Sequence, residues 1–152
     1  MTYERAELLK ASIDKIFLQT VYPEKLLIID NSLTYTTEDL IKSINNPKII
    51  YYRVGYNSGP AGAAAIGLKI LSDEGFDWIY WGDDDDPPIF NDTFEILLKL
   101  ANNNINCGCV GSVGQFFNKN KAIIERVPDK LLCSKGALEV DNIAGNMSKI
   151  VN

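Results

Sequence analysis

The chain of 152 residues contains no histidine. Serine–histidine–aspartate and cysteine–histidine catalysis are therefore excluded within this chain, and so are zinc sites built on histidine ligands. Any general base must then be a carboxylate, and any metal ligand is expected to be an oxygen atom. The candidate chemistry of this sequence thus depends on its acidic side chains.

Basic residues are also scarce, with 15 Lys and Arg against 20 Asp and Glu, which gives a net charge of −5. Nucleic-acid surfaces need clustered Lys and Arg, so we predict no nucleic-acid partner. An anionic small molecule can still bind where backbone N–H groups or a cation meet it. No apolar run reaches the roughly 18 residues of a membrane span, and residues 1–20 lack a signal-peptide pattern. We therefore expect a cytoplasmic chain without a transmembrane segment.

Apolar stretches and turn-forming residues alternate along the first hundred residues. Helical spacing predicts four helices, with Thr37 and Asn91 as N-caps and Gly75 as a C-cap: 5–20, 37–44, 63–73 and 91–101. Short apolar or β-branched runs predict strands over 25–30, 48–53 and 77–82. Short strands are also predicted later in the chain, over 107–113, 121–127, 137–140 and 147–151. This order predicts an α/β/α sandwich of Rossmann-like type with a mostly parallel sheet and a β-rich C-terminal part.

Three polar or glycine-rich segments lie at the carboxyl ends of the predicted strands. They are Asp30, the glycine-rich turn 55–62 and the acidic run 83–86. Ligands of parallel α/β sheets bind at the carboxyl ends of the strands. We therefore expect the three segments to meet in one crevice.

The acidic run consists of four consecutive aspartates, which repel one another. Two carboxylates about 4 Å apart repel by roughly 4 kcal/mol at an effective dielectric constant of 20. A bound Mg²⁺ or Mn²⁺ removes this conflict, because both ions prefer carboxylate and phosphate oxygens. In an extended strand end, Asp83 and Asp85 point to one side and Asp84 to the other. The alternative is a solvated acidic turn that is closed by two prolines and caps the next helix.

The segment 77–88, D-W-I-Y-W-G-D-D-D-D-P-P, resembles the strand and DXD motif of family 2 glycosyltransferases, which have the GT-A fold. The resemblance implies that Asp83 and Asp85 hold the divalent cation. It also implies that Asp83 and Asp84 contact the nucleotide sugar. A register one residue later, with Asp84 and Asp86 in these roles, remains open.

Three further segments resemble the same family. Thr2-Tyr3-Glu4-Arg5 resembles a T-Y-N-R turn that lies against the nucleotide, with Glu4 in place of the asparagine. The segment 27–32 resembles the family's second strand, where an acid recognises the base or ribose, although an Asx turn is the alternative for that acid. The segment 57–67 resembles a glycine-rich motif, N-x-G-x-(A/G)-G-A-x-x-x-G. Nucleotide-sugar binding is thereby implied for Thr2, Tyr3, Arg5, Asp30, Asn57, Gly59 and Gly62.

The resemblance implies transfer of a sugar from a UDP- or dTDP-linked donor to a hydroxyl of a saccharide or lipid-linked acceptor. Such transfer belongs to polysaccharide or glycolipid synthesis at the inner face of a membrane, with peripheral membrane association. We expect residues 1–152 to form one partial domain that begins at the end of its first strand and stops before the general base. Asp141 is interpreted as a turn residue. An incomplete sheet exposes strand edges and favours a homo-oligomer.

Two other functions remain open at this point. One is a non-catalytic module that binds a nucleotide, Ca²⁺ or a partner through the acidic run. The other is a sugar nucleotidyltransferase on a related fold, although the chain lacks the early glycine-rich signature of those enzymes.

Overall fold

The computed structural model describes residues 1–104 and 106–111. The chain divides into two compact units, residues 1–91 and 92–152, each of which is described by itself. The single-domain prediction stays a prediction. Among the described residues, no helix has the length and apolar character that a membrane span demands.

Helices and strands alternate through the first unit. Its elements are α1 (Ala6–Phe17), β1 (Leu26–Asp30), α2 (Thr36–Ile44), β2 (Ile49–Arg53) and α3 (Gly59–Asp73). The described part of the second unit contains α4 (Thr93–Asn102). The four predicted helices and the first two predicted strands are thereby confirmed, within a few residues at their ends.

The sheet is parallel, as the alternation predicted. Strands β1 and β2 pair in register from Leu26 opposite Ile49 to Asp30 opposite Arg53. On the other edge of β1, Thr2 forms a parallel bridge with Asp30. Its amide donates to the Ile29 carbonyl, and its carbonyl accepts from the Asn31 amide, both at 3.0 Å. Residue 2 and the carboxyl ends of β1 and β2 therefore lie side by side.

Helices cover both faces of β1. Successive side chains of a strand point to opposite faces, so neighbouring residues of β1 contact different helices. On one face, Ile28 packs with Leu9 and Ile13 of α1 and with Ile49 of β2 in the buried core. On the other face, Ile29 lies against α3, where a Cβ added to Gly67 would stand 3.1 Å from Ile29 Cγ1. The first unit is therefore an α/β/α arrangement, which confirms the predicted fold class.

The prediction of a strand over 77–82 is wrong, since these residues have no strand structure. A strand exists only where a neighbouring strand completes its hydrogen-bond ladder. On this side of β1, the neighbouring residues are Met1 and Thr2, and the Met1 amino group donates to the Gly82 carbonyl at 3.1 Å. Beyond that contact an apolar groove separates Leu27 from Ile79. A two-residue partner is too short to organise 77–82 as a strand.

The predicted N-cap of α2 is also wrong. The helix begins at Thr36 after Tyr35, which makes no side-chain capping bond. Thr37 lies inside the helix and is buried, and its Oγ1 stands 3.4 Å from Ser32 Oγ. Burial against the β1–α2 loop has therefore prevailed over capping at this threonine.

Predictions at the other helix ends had mixed outcomes. Gly75 follows the end of α3 with φ +86° and donates its amide to the Ser72 carbonyl, which confirms its capping role. The N-cap of α4 is Asp92, so the prediction of Asn91 is wrong by one residue.

Little of the predicted β-rich C-terminal part can be compared with the structure. Residues 107–111 contain no strand, so the strand prediction for 107–113 is not met there. Residues 112–113, the later strand candidates and Asp141 lie outside the described residues.

Candidate functional site

Asp84 lies at the centre of a buried set of contacts in the first unit. Only 6% of the residue is exposed. Its Oδ2 accepts a hydrogen bond from the Thr2 hydroxyl at 2.6 Å, and its backbone carbonyl accepts one from the Ser12 hydroxyl at 2.6 Å. These two hydrogen bonds hold the acidic run against residue 2, beside β1, and against helix α1.

The other three aspartates of the run are exposed. Asp85 Oδ2 lies 2.5 Å from Arg5 Nη1, and the same nitrogen is 3.6 Å from Asp84 Oδ1. Arg5 and Asp85 are each about half exposed, so water screens this pair and its contribution to stability is small. Asp84 therefore points inward, whereas Asp83, Asp85 and Asp86 are open to solvent; that Asp83 and Asp85 share one side stays a prediction.

Asp30 is fully buried at the end of β1. Its Oδ1 accepts from the Ser32 amide at 2.8 Å, which is the Asx turn considered from the sequence. Its Oδ2 accepts from the Tyr51 hydroxyl at 2.8 Å. Burial, together with this bond to a carboxylate, raises the pKa of Tyr51 above its ordinary value of 10, so Tyr51 remains a proton donor at neutral pH. Each carboxylate oxygen of Asp30 thus already accepts one hydrogen bond from the protein.

The glycine-rich turn is tied to the same end of β1 by Asn31. The Asn31 amide nitrogen donates to the Gly59 carbonyl at 3.1 Å, and its Oδ1 accepts from the Ser58 hydroxyl at 2.8 Å. Asn57 Oδ1 accepts from the Gly59 amide at 2.9 Å. Gly59 has φ +69°, a left-handed conformation that favours glycine. The first turn of α3, which contains Gly62, is thereby held beside Asp30.

Glu4 joins the turn after Thr2 to the loop after β1. One of its carboxylate oxygens accepts from the amides of Leu33 and Thr34, at 2.7 and 3.0 Å, and the other accepts from the Thr34 hydroxyl. The Glu4 amide donates to Ser32 Oγ at 2.8 Å. The pKa of Glu4 is lowered from its ordinary value, and the hydrogen bonds from Thr34 are the largest cause. The neighbouring Tyr3, predicted to contact the nucleotide, is exposed.

Arg53 holds the same loop from the end of β2. Its Nη2 donates to the Leu33 carbonyl at 2.8 Å, and its guanidinium group lies 4.0 Å from the centre of the Tyr35 ring. Its Nη1 is buried without a hydrogen-bond partner and stands 3.9 Å from a Glu38 carboxylate oxygen. Arg53 is the last residue of the predicted strand 48–53, and a charged residue at the carboxyl end of a strand is a sequence signal that could have identified Arg53 as a site residue.

The structure therefore brings the predicted segments to one edge of the sheet. Thr2 connects Asp84 to β1, and Asn31 connects β1 to the glycine-rich turn. Sequence reasoning missed the supporting roles of Ser12, Asn31, Tyr51 and Arg53. Among the described residues, no three Asp, Glu or Cys side chains are gathered closely enough to hold a metal ion. Metal binding by Asp83 and Asp85 stays a prediction.

An acidic run at the carboxyl ends of parallel strands lies where α/β sheets bind their ligands. The model of the family described as Glycosyl transferase family 2 matches residues 1–143, so the chain belongs to this family of transferases. A galactofuranosyltransferase of Mycolicibacterium smegmatis, GlfT1, is 32% identical over 101 residues. The matched segment is 66% of this chain and 33% of that relative, so the chain spans about a third of the relative's length.

Proposed function

We propose that this chain binds the nucleotide-sugar donor of a glycosyltransferase, with a UDP- or dTDP-linked sugar as ligand. The complete reaction transfers the sugar to a hydroxyl group of a saccharide or lipid-linked acceptor. The observation that carries the proposal is the buried bond between Thr2 and Asp84, because it fixes the acidic run beside the carboxyl ends of the parallel strands. Ligands of parallel α/β sheets bind at that edge.

The diphosphate is assigned to the side of the edge where charge and backbone donors converge. Arg5 already lies among the acidic groups and offers a cation to phosphate oxygens. The first turn of α3, which contains Gly62, presents helix N-terminal N–H groups, which favour anions. Asn57 shapes this turn through its bond to the Gly59 amide. These features support a phosphate site despite the net negative charge.

The nucleoside is assigned to the side formed by Tyr3, Asp30 and the loop after β1. Leu33 and Tyr35 of that loop are 62% and 64% exposed. Apolar and aromatic side chains with a few fixed polar groups are typical of ligand sites. Asp30 supports this side through Ser32 and Tyr51, which occupy its two carboxylate oxygens.

Asp83 and Asp85 are proposed as the ligands of Mg²⁺ or Mn²⁺. Both are exposed carboxylates, and oxygen donors suit these hard cations. When bound, the cation would neutralise charge on the departing diphosphate and act as a Lewis acid. Asp84 is turned inward by Thr2 and Ser12, so its role is to hold the run in position.

A carboxylate must deprotonate the acceptor hydroxyl, and none of the described residues is assigned that role. Family membership supports a role in polysaccharide or glycolipid synthesis at the cytoplasmic face of a membrane, with peripheral association. The name of the M. smegmatis relative makes a galactofuranosyl donor a sensible first sugar to test.

A thermal-shift experiment tests donor binding. UDP or dTDP with Mn²⁺ is expected to raise the melting temperature, and EDTA is expected to reverse the gain. Ligand at a hundred times its Kd should add about 2.7 kcal/mol. Asp85→Asn is expected to abolish the Mn²⁺-dependent part, whereas Asp86→Asn should preserve it. The opposite result would assign the metal to the register one residue later.

Two outcomes would contradict the proposal. The first is the absence of a shift with every nucleoside diphosphate. The second is a strong shift with Ca²⁺ alone that nucleotide does not change, which would indicate a calcium-binding module.

A further inference from the structure

We propose that Glu4 is a positioning residue that fixes the loop 32–35 as one wall of the nucleoside site. This inference rests on the proposed function and adds a determinant of nucleoside recognition. Glu4 would act through the loop and would have no part in diphosphate binding.

The contacts of Glu4 are concentrated on this loop. Its carboxylate accepts two backbone amides, those of Leu33 and Thr34, and the Thr34 hydroxyl. Its own amide donates to the Ser32 hydroxyl. Four hydrogen bonds therefore join one residue of the first turn to three successive residues of the loop. A carboxylate with several donors is among the stronger hydrogen-bonding arrangements in proteins.

The backbone at Glu4 adopts a conformation that is unusual for this residue. Its φ is +54°, in the left-handed region where glycine, asparagine and aspartate are favoured. Such conformations persist where surrounding contacts fix them, and they cluster at ligand sites. Here the bonds to the loop are the contacts that fix Glu4.

The loop is also held from its other side, yet its apolar side chains stay exposed. Arg53 donates to the Leu33 carbonyl and stacks on Tyr35. The side chains of Leu33 and Tyr35 nevertheless face solvent. A fixed backbone that presents exposed apolar and aromatic groups suits a planar base, since aromatic faces favour stacking. Glu4 and Arg53 together therefore make this surface rigid before a ligand arrives.

The groups assigned to the diphosphate do not depend on these bonds. Arg5 contacts Asp84 and Asp85, and Asp84 is held by Thr2 and Ser12. None of these contacts involves Glu4. Loss of the Glu4 carboxylate should therefore weaken binding of a whole nucleotide and leave binding of inorganic pyrophosphate unchanged.

Isothermal titration of the full chain with UDP and Mn²⁺, and separately with pyrophosphate and Mn²⁺, tests the inference. Glu4→Ala is expected to weaken UDP binding roughly tenfold, as pre-organisation of the loop is lost, and to leave pyrophosphate binding within about twofold. Glu4→Gln keeps an acceptor oxygen and should recover much of the UDP affinity. Glu7→Ala removes the same charge at an exposed position of α1 and should change the binding of neither ligand. Thr34→Ala removes one of the three donors to the Glu4 carboxylate, the hydroxyl, and should cause a smaller loss of UDP affinity that again leaves pyrophosphate binding unchanged.

The outcomes distinguish a failure of the proposed function from a failure of the role of Glu4. If the wild-type chain binds neither ligand, the proposed function falls and this inference with it. If the wild type binds both and Glu4→Ala retains full UDP affinity, or weakens both ligands equally, Glu4 has no positioning role. Should Glu4→Ala fail to fold, Thr34→Ala decides by the same criterion.

Discussion

Replacement of Thr2 by valine is expected to destabilise the first unit by about 2 kcal/mol. The Thr2 hydroxyl donates to Asp84 Oδ2 at 2.6 Å, and the two residues are only 3% and 6% exposed. Valine has nearly the same shape and keeps the backbone bridge to β1, but it offers no donor. Hydrogen bonds to charged groups contribute about 1.5–3 kcal/mol, and a buried acceptor left without its partner costs a similar amount.

Urea unfolding followed by tryptophan fluorescence measures this change. The two tryptophans, Trp78 and Trp81, lie in residues 1–91, so the signal reports on the first unit. With a urea slope of about 1–3 kcal/mol/M, the midpoint should fall by roughly 0.7–2 M. Thr36→Val, at an exposed threonine, is the control and should change stability by less than about 0.5 kcal/mol. A Thr2→Val midpoint equal to that of the control would refute the role assigned to this bond.

Three further predictions concern the same edge of the sheet. Tyr51→Phe removes a donor from buried Asp30 and should lower the free energy of unfolding by about 1–3 kcal/mol in the same urea assay; an unchanged midpoint would contradict this. Gly59→Ala should lower the free energy of unfolding by about 1–2 kcal/mol, because φ is +69° at this position. Gly59→Asn should lower it less, since asparagine tolerates this region of φ. Equal losses for the two variants would argue against a backbone origin of the effect. The pKa of Glu4 is lowered on folding, so wild type should be more stable than Glu4→Gln at pH values above the ordinary pKa of 4.5. This difference in the free energy of unfolding should disappear as the pH falls through the pKa of Glu4 in the folded state. A difference between the two urea midpoints that does not change with pH would exclude the effect.

The fold was predictable where local sequence determines structure. The spacing of Leu9 and Ile13 marks the buried face of α1, and the apolar run before Asp30 marks a strand covered on both faces. The failure at 77–82 has a different origin. Its residues have strand character, but a strand forms only where a neighbouring strand completes its hydrogen-bond ladder, and the contact with Met1 does not complete one.

The candidate site was predictable in place and less so in detail. Parallel strand ends meet at one edge, which is why Asp30 and the acidic run could be placed together. The inward turn of Asp84 depends on partners 82 and 72 residues away, Thr2 and Ser12. The role of Glu4 depends on loop amides 29 and 30 residues away. Such long-range partners are determined by packing, which composition and periodicity do not encode.

We propose that a nucleoside diphosphate binds with its cation at the carboxyl edge of the β1–β2 sheet. Backbone amide NMR spectra of the full chain, titrated with UDP and Mg²⁺, test it most directly. Chemical-shift changes are expected to concentrate in four segments: 2–5, 30–35, 57–62 and 83–86. Saturable changes confined to other segments, or none at ligand concentrations in the millimolar range, would contradict it.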